Sequence, residues 1–376
     1  MSLCILAIKT LLADRGKFLA ALVGVVFSVV LVNIQGGLFL GLVRKAGLLV
    51  DHSQADIWVG HKHMHNVDFA RDVPRRWLHR IHAIPGIKRV EPYLVGFSEM
   101  TLPSGNFESV VVVGVARDAE MGQPWNLQSG QLPIDRPHAV VVDGCDDDKL
   151  EQPGIGELRE IGGRRARVVG RTQGVLSFLV TPYVFTSYDQ ALTFLKKDPR
   201  NCSYFLVKLA DGESAESVCR SIMAHVPELD ARPSADYSAL SQRFWLTRTG
   251  IGISFGAATL MGLLVGLVMV AQTLYASVLD RVSEFAALKA MGARDLQVFW
   301  ILAIQAMFMA LVGTLLGMLV VSGLHGLIST PRASIEIPFW LSGGSFCMVV
   351  SICLIAALLP YERVRKIDPL SVLQGA

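Results

Sequence analysis

The segment His61-Lys62-His63-Met64-His65 places three histidines at alternate positions and is the most tempting candidate site in the chain. Alternate residues on a β-strand face one side, so three imidazoles at this spacing would converge as in a catalytic zinc site. Three near neighbours on one strand rarely wrap a metal, however, and Asp68 is the only carboxylate close by. The spacing therefore favours a polar strand end or loop; His61, His63 and His65 are the candidate ligands, and no bound metal is expected. A second run, Asp143-Gly144-Cys145-Asp146-Asp147-Asp148, lacks EF-hand spacing and the closing glutamate, and reads as an acidic turn. Arg164-Arg165-Ala166-Arg167 reads as a solvated strand edge suited to anionic headgroups.

No HExxH or GxxxxGKS/T pattern occurs, so no nucleotide-hydrolysing site is expected within the chain, and no catalytic residue is assigned. The six cysteines form no CxxC pair, which excludes a zinc ribbon or a thioredoxin-type motif. Cys145, Cys202 and Cys219 fall in one region and allow at most one disulfide, whose partners the sequence does not name.

The elements around these residues follow from composition. The chain is 52% hydrophobic and 18% charged, with a mean hydropathy of +0.44. A soluble domain carries roughly a quarter charged residues. A net charge of +3 without a long basic run gives no reason to expect nucleic acid as a partner. The apolar excess sits in four blocks, residues 18–43, 250–276, 298–324 and 339–360, none of which contains Asp, Glu, Lys or Arg. Each is long enough to cross a bilayer as a helix, which needs about 20 residues. The first is too long for a cleaved signal and ends in Arg44-Lys45, so an uncleaved anchor is expected.

Lys9, Arg15, Lys17, Arg281, Lys289, Arg294, Arg363, Arg365 and Lys366 flank one side of these spans. Arg44, Lys45, Arg243, Arg248 and Arg332 flank the other. The positive-inside bias puts both termini in the cytoplasm and residues 44–249 outside. Spans free of ionisable residues argue against a proton- or ion-coupled carrier. Small residues four apart, at Gly37/Gly41, Gly252/Gly256, Gly262/Gly266 and Gly313/Gly317, mark candidate helix-packing faces.

Residues 44–249 alternate strand and helix signals and predict an α+β domain with its own core. Strands are expected at 55–59, 87–95, 109–115, 183–186 and 204–209. Helices are expected at 74–84 and 214–225, and a smaller β unit at 139–142 and 165–171. Residues 236–249 contain no Gly or Pro and predict a continuous helical stalk into the second span. The stretch after Val43 is expected to form a second stalk. The fold class is thus an α-helical membrane protein with four spans and an α+β domain between the first and second.

The loop 277–297 is the informative cytoplasmic piece. Val278, Val282, Phe285, Leu288 and Met291 recur at helical steps and predict one apolar stripe. Arg281 and Glu284 are neighbours at i,i+3, and Gly292 stops the helix. Such a helix lies on headgroups or is presented to a cytoplasmic partner.

The pattern Arg281…Glu284…Leu288-Lys289-Ala290-Met291-Gly292-Ala293 resembles the permease signature of the FtsX/LolC/MacB superfamily, the type VII ABC transporters. The tail Arg363-Val364-Arg365-Lys366-Ile367-Asp368-Pro369-Leu370 is similar to the family's closing motif. The topology agrees: an amphipathic elbow in residues 1–17, one span, a large exterior domain, three spans with a short periplasmic loop at 325–338, and a tail at 361–376. Ala55-Asp56-Ile57-Trp58-Val59-Gly60 and Ile84-Pro85-Gly86-Ile87 resemble the DevC-like branch, which lacks the fused ATPase of MacB, as this chain does.

The resemblance implies a bacterial inner-membrane homodimer served by two copies of a separate ABC ATPase, which carries the ATP and Mg. Arg281, Glu284, Leu288, Lys289, Met291, Gly292 and Ala293 would contact that ATPase. It further implies a HlyD-type periplasmic adaptor and an outer-membrane channel, with export by mechanotransmission. The alternative within the superfamily is an FtsX-like regulator that activates a periplasmic hydrolase without transport.

Overall fold

Val110, Val111, Val112 and Val113 form an unbroken apolar run, and all four are sealed from solvent. Successive strand residues face opposite sides, so such a run demands a sheet covered on both faces. The computed structural model describes residues 3–13, 15–133, 136–280, 282–291 and 295–365, with the backbone alone at 3–6, 10, 283–285, 288, 295 and 363. The chain divides into a sheet unit, Leu42–Ile251, and a helical unit drawn from Met1–Gly41 and Gly252–Ala376.

The strands of the sheet unit are β1 (Ile57–His61), β2 (Val73–Pro74), β3 (Ile87–Thr101), β4 (Phe107–Val115), β5 (Leu127–Gly130) and β6 (Ala139–Asp143). They continue with β7 (Leu158–Ile161), β8 (Arg164–Thr172), β9 (Tyr183–Ser187), β10 (Asn201–Cys202), β11 (Tyr204–Leu209) and β12 (Leu229–Pro233). Among the described residues one ten-stranded sheet runs β12-β1-β11-β3-β4-β9-β6-β8-β5, with β7 paired to β3 and β8. β2 and β10 form a separate ribbon. The β4–β9 and β6–β8 pairings are parallel and the rest antiparallel.

The alternation along the central strands divides the core in two. Ile57, Val59, Val110, Val112, Val140, Val142, Phe205 and Val207 belong to one cluster, completed by Tyr188, Leu192, Val218 and Ile222 from helices Tyr188–Leu195 and Ala215–His225. Trp58, Val111, Val113, Val141, Tyr204 and Leu206 face the other side, against Leu49, Val50, Val67, Met121 and Tyr237. There Trp58 stacks on Tyr237 at 5.7 Å between ring centroids and meets Tyr93 and Tyr204 edge-on. Its indole N–H donates to Ser53 Oγ at 3.0 Å, so the polar end of the buried ring is satisfied.

Three sequence expectations change. The helix expected over 74–84 is confined to Trp77–His82, because Val73 and Pro74 pair with Cys202 and Asn201; the fixed φ of proline suits that extended geometry. Segments 139–142 and 165–171 are not a separate β unit. Val140 and Val142 pair with Thr186 and Val184 on one side, and Val140 with Val168 on the other, which places them inside the main sheet. The stalk helix exists as Ser234–Arg248, yet it is not continuous with the second span. Gly250 has φ +68°, a left-handed geometry that interrupts the helix and that glycine adopts without steric cost. On the other connection the first long helix ends at Lys45, and a short helix, Leu48–Asp51, follows a turn.

In the helical unit, helices Arg15–Lys45, Ile251–Asp280, Leu296–Ile328 and Phe339–Glu362 are long and apolar enough to span a membrane. The fourth has an internal irregularity: Phe339–Ala356 stops, and Leu358–Arg365 begins after Ala357. Pro360 has no N–H for the Ala356 carbonyl, which explains a break within the expected span rather than at its end. Ala21, Val25 and Val29 of the first long helix share a core with Val270 and Leu274, with Leu302 and Met309, and with Val349 and Cys353.

The glycine pairs divide by what surrounds them. A Cβ at Gly262 or Gly266 would stand 2.2 Å from Leu31 or 2.1 Å from Ser28. At Gly313 and Gly317 it would meet Val25 at 2.4 Å and Val29 at 2.7 Å, and at Gly37 and Gly41 it would meet Ile335 and Ser334. Gly256 faces open space. Ser28 Oγ donates to Gly262 O at 2.9 Å, so the close approach also carries an interhelical hydrogen bond.

Candidate coupling site

The second long helix runs to Asp280, four residues past the expected end of its span, and helix Val282–Ala290 follows it. Asp280 forms an ion pair with Lys17 at the base of the first long helix. Val278 and Ala286 are buried, Val282 is half-buried, and the Met291 amide donates to Ala287 O at 3.0 Å. Met291 itself is 77% exposed. Buried Ala286 stands four residues after Val282 and is small enough for close packing.

Lys289 fixes this helix to the end of the chain's last described helix. Its ammonium donates to Val364 O at 3.2 Å and to Arg365 O at 3.1 Å. These carbonyls belong to the last described residues of helix Leu358–Arg365, and the ammonium ties them to the loop helix. Tyr361 on the same helix meets Phe299 edge-on at 5.3 Å, which ties it to the third span. The N-terminal helix Leu3–Ala13 joins the third span through Gln305, whose side-chain amide donates to Ala7 O at 3.2 Å. Arg281, Gly292 and Ala293 lie outside the described residues, while Glu284 and Leu288 lie on helix Val282–Ala290, with the backbone alone described. Chemically the arrangement offers a braced helix and an exposed thioether.

The histidine segment does not keep strand alternation. His61 ends β1, its ring nitrogen 2.7 Å from Lys62 O, and His63 has φ +66° in the turn that follows. His65 stacks on Phe244 at 6.4 Å. No three His, Cys, Asp or Glu side chains among the described residues are grouped to hold a metal. The acidic run does form a turn, and its first carboxylate is structural. Buried Asp143 accepts from Cys145 N at 2.8 Å, Val175 N at 2.8 Å, Gly174 N at 3.2 Å and Thr172 Oγ1 at 2.8 Å. Cys145, Cys202 and Cys219 are free thiols, and burial, helped by Asp143, pushes Cys145 up to about 11. Arg164, Arg165 and Arg167 are exposed on the β7–β8 hairpin, and Arg167 is no free edge, since Leu158 and Ala139 pair with it from both sides.

Two family models match the chain: a MacB-like periplasmic core domain over residues 18–224, and an FtsX-like permease C-terminal region over 256–369. The chain belongs to the FtsX/MacB superfamily of ABC permeases. It is similar to the periplasmic region of MacB from Actinobacillus actinomycetemcomitans at 12% identity, covering 50% of this chain and 94% of that one, with a TM-score of 0.38. It is also similar to the extracellular domain of the noncanonic ABC-type transporter YknZ from Gram-positive bacteria, at 12% identity, 47% and 98% coverage and a TM-score of 0.36. No curated protein matches. The protein is accordingly a multi-pass membrane permease whose sheet unit is its periplasmic domain, in a family that implies an ABC ATPase partner.

The permease also carries a buried group that periodicity did not reveal. Asp68, 2% exposed, lies 3.3 Å from the Trp245 indole nitrogen and 3.4 Å from the Tyr183 hydroxyl, both aimed as donors. Desolvation outweighs these two hydrogen bonds and raises its carboxyl to about 6. Trp245 sits on the stalk helix and packs on Phe178 at 4.3 Å, so Asp68 joins that helix to the periplasmic core. A lone Asp between Val67 and Phe69 was the only signal in the sequence.

Proposed function

We propose that this permease relays the nucleotide cycle of a separate ABC ATPase to its periplasmic domain, with helix Val282–Ala290 as the part that is pushed. The observation that carries the reading is the Lys289 clamp: a displacement of the loop helix is passed to Leu358–Arg365 rather than lost in a slack loop. Arg281, Glu284, Leu288, Met291, Gly292 and Ala293 are the ATPase-contacting residues in this reading. Exposed Met291 supports it, since a flexible apolar side chain in water gains by insertion into a groove.

The assembly is a homodimer in the bacterial inner membrane, with both termini cytoplasmic and two ATPase copies binding ATP and Mg. As in the DevC-like branch, a HlyD-type adaptor and an outer-membrane channel complete an export path. Substrate moves by mechanotransmission, a route consistent with four spans whose 18–43, 250–276, 298–324 and 339–360 cores contain no Asp, Glu, Lys or Arg.

Glu284→Lys tests the reading. The variant should insert normally while export falls and ATP hydrolysis by the partner persists uncoupled. Normal export from a stably expressed Glu284→Lys protein would refute the assigned role. Labelling of Lys289 by an impermeant reagent from the periplasmic side would refute the orientation.

A further inference from the structure

A cavity of about 640 Å³ opens in the periplasmic domain beside the β2–β10 ribbon. Arg75, Arg76, His79, Asp198, Arg200 and Asn201 line it, with Leu78 and Pro74 as apolar wall. The ribbon holds the cations together: Arg75 N donates to Arg200 O at 2.7 Å, and Tyr188 Oη donates to Asn201 O at 2.8 Å. Small-ligand sites are concave, with volumes of roughly 300–1,000 Å³ and a few convergent polar groups.

The local acids are already engaged. Asp198 accepts from the Arg200 side chain at 2.7 Å and from its amide at 2.9 Å, and Asp72 accepts from Lys197 at 2.5 Å. Arg75, Arg76 and Arg80 have no carboxylate within ion-pair distance among the described residues. Their guanidinium groups rest on rings instead: Arg75 over Tyr188 at 4.9 Å, and Arg76 and Arg80 over Trp77 at 5.0 Å each. Ring stacking orients a guanidinium while leaving its N–H edge free to donate. Arg76 and Arg80 are four residues apart, a spacing at which like charges oppose the helix they flank.

We propose that this cavity is a binding site for a phosphate-bearing ligand, with Arg75 and Arg76 as its principal donors and Arg200, held by Asp198, as a third. Planar guanidinium forks match phosphate oxygens bidentately. Leu78 and Pro74 receive the organic part next to the phosphate. The proposal is independent of the coupling mechanism.

The test uses the purified full-length permease in nanodiscs and two probes, glycerol 1-phosphate as a soluble phosphomonoester and dihexanoyl phosphatidic acid as a short-chain headgroup. Saturable, salt-sensitive binding is expected. It should weaken about tenfold or more in Arg75→Gln and in Arg76→Gln, and stay unchanged in Arg71→Gln, an exposed cation outside the cavity. Preference for the first probe identifies a soluble source, preference for the second a lipid one. All side chains replaced are exposed, and unchanged melting temperatures establish that the domain is folded. Absence of saturable binding by either probe overturns the proposal. So does binding unaffected by Arg75→Gln and Arg76→Gln, or equal loss in Arg71→Gln.

Discussion

Lys289 stands 3.1 Å from the carbonyl oxygen of Arg365, and this contact joins the loop helix after the second span to the helix that closes the fourth. The two residues are 76 positions apart, so the clamp is a product of the folded helical unit.

Removing the clamp separates bracing from charge. Lys289→Met keeps the length of the stem and loses the donors to two carbonyls, at a stability cost of about 1 kcal/mol. Membrane abundance should be nearly normal, whereas stimulation of the partner ATPase should be lost; Lys289→Arg should restore most of it. Full coupling by Lys289→Met, measured in a reconstituted complex, would show that the clamp is incidental.

Glycine packing gives a paired prediction. Gly266→Val puts a branched side chain where a Cβ alone would be 2.1 Å from Ser28 Oγ, and overpacking of this kind costs about 1–3 kcal/mol. Gly256→Ala meets nothing within 4 Å and should be neutral or slightly stabilising. Thermal unfolding in detergent, followed by size-exclusion chromatography, distinguishes the two.

Asp68 ties the stability of the periplasmic domain to pH, with mild acid favouring the fold. Its folded carboxyl titrates at about 6 and its ordinary value is 3.8, so the folded state binds the proton more tightly. That contribution is fully present below about pH 4 and is lost as pH rises through 6. At neutral pH the charged form therefore costs up to about 3 kcal/mol relative to the protonated one. Asp68→Asn should abolish this part of the pH profile. The difference between wild-type and variant melting temperatures should narrow as pH falls from 7 to 4; a constant difference would contradict the assignment.

The spans were legible because hydrocarbon thickness imposes a length, and Phe18 to Val43 meets it in a single reading of the chain. The loop helix was legible from period and from the charges that interrupt two apolar blocks. The Lys289–Arg365 and Asp68–Trp245 contacts were not, since local periodicity carries no information about partners 76 or 177 positions away. Pro74 misled for a related reason: its fixed φ suits a helix start as well as an extended segment, and pairing with Asn201 decided between them. The arginines of the cavity read locally as charges beside a short helix, and only the β2–β10 ribbon brings Arg200 to them.

The doubly sealed sheet has a mechanical consequence. Val111 and Val112 interlock with packed layers on opposite sides, and close-packed interiors have little compressibility. The periplasmic body therefore behaves as a stiff plate rather than a spring. Amide exchange should be slowest along β4, β9 and β11, the strands sealed within it.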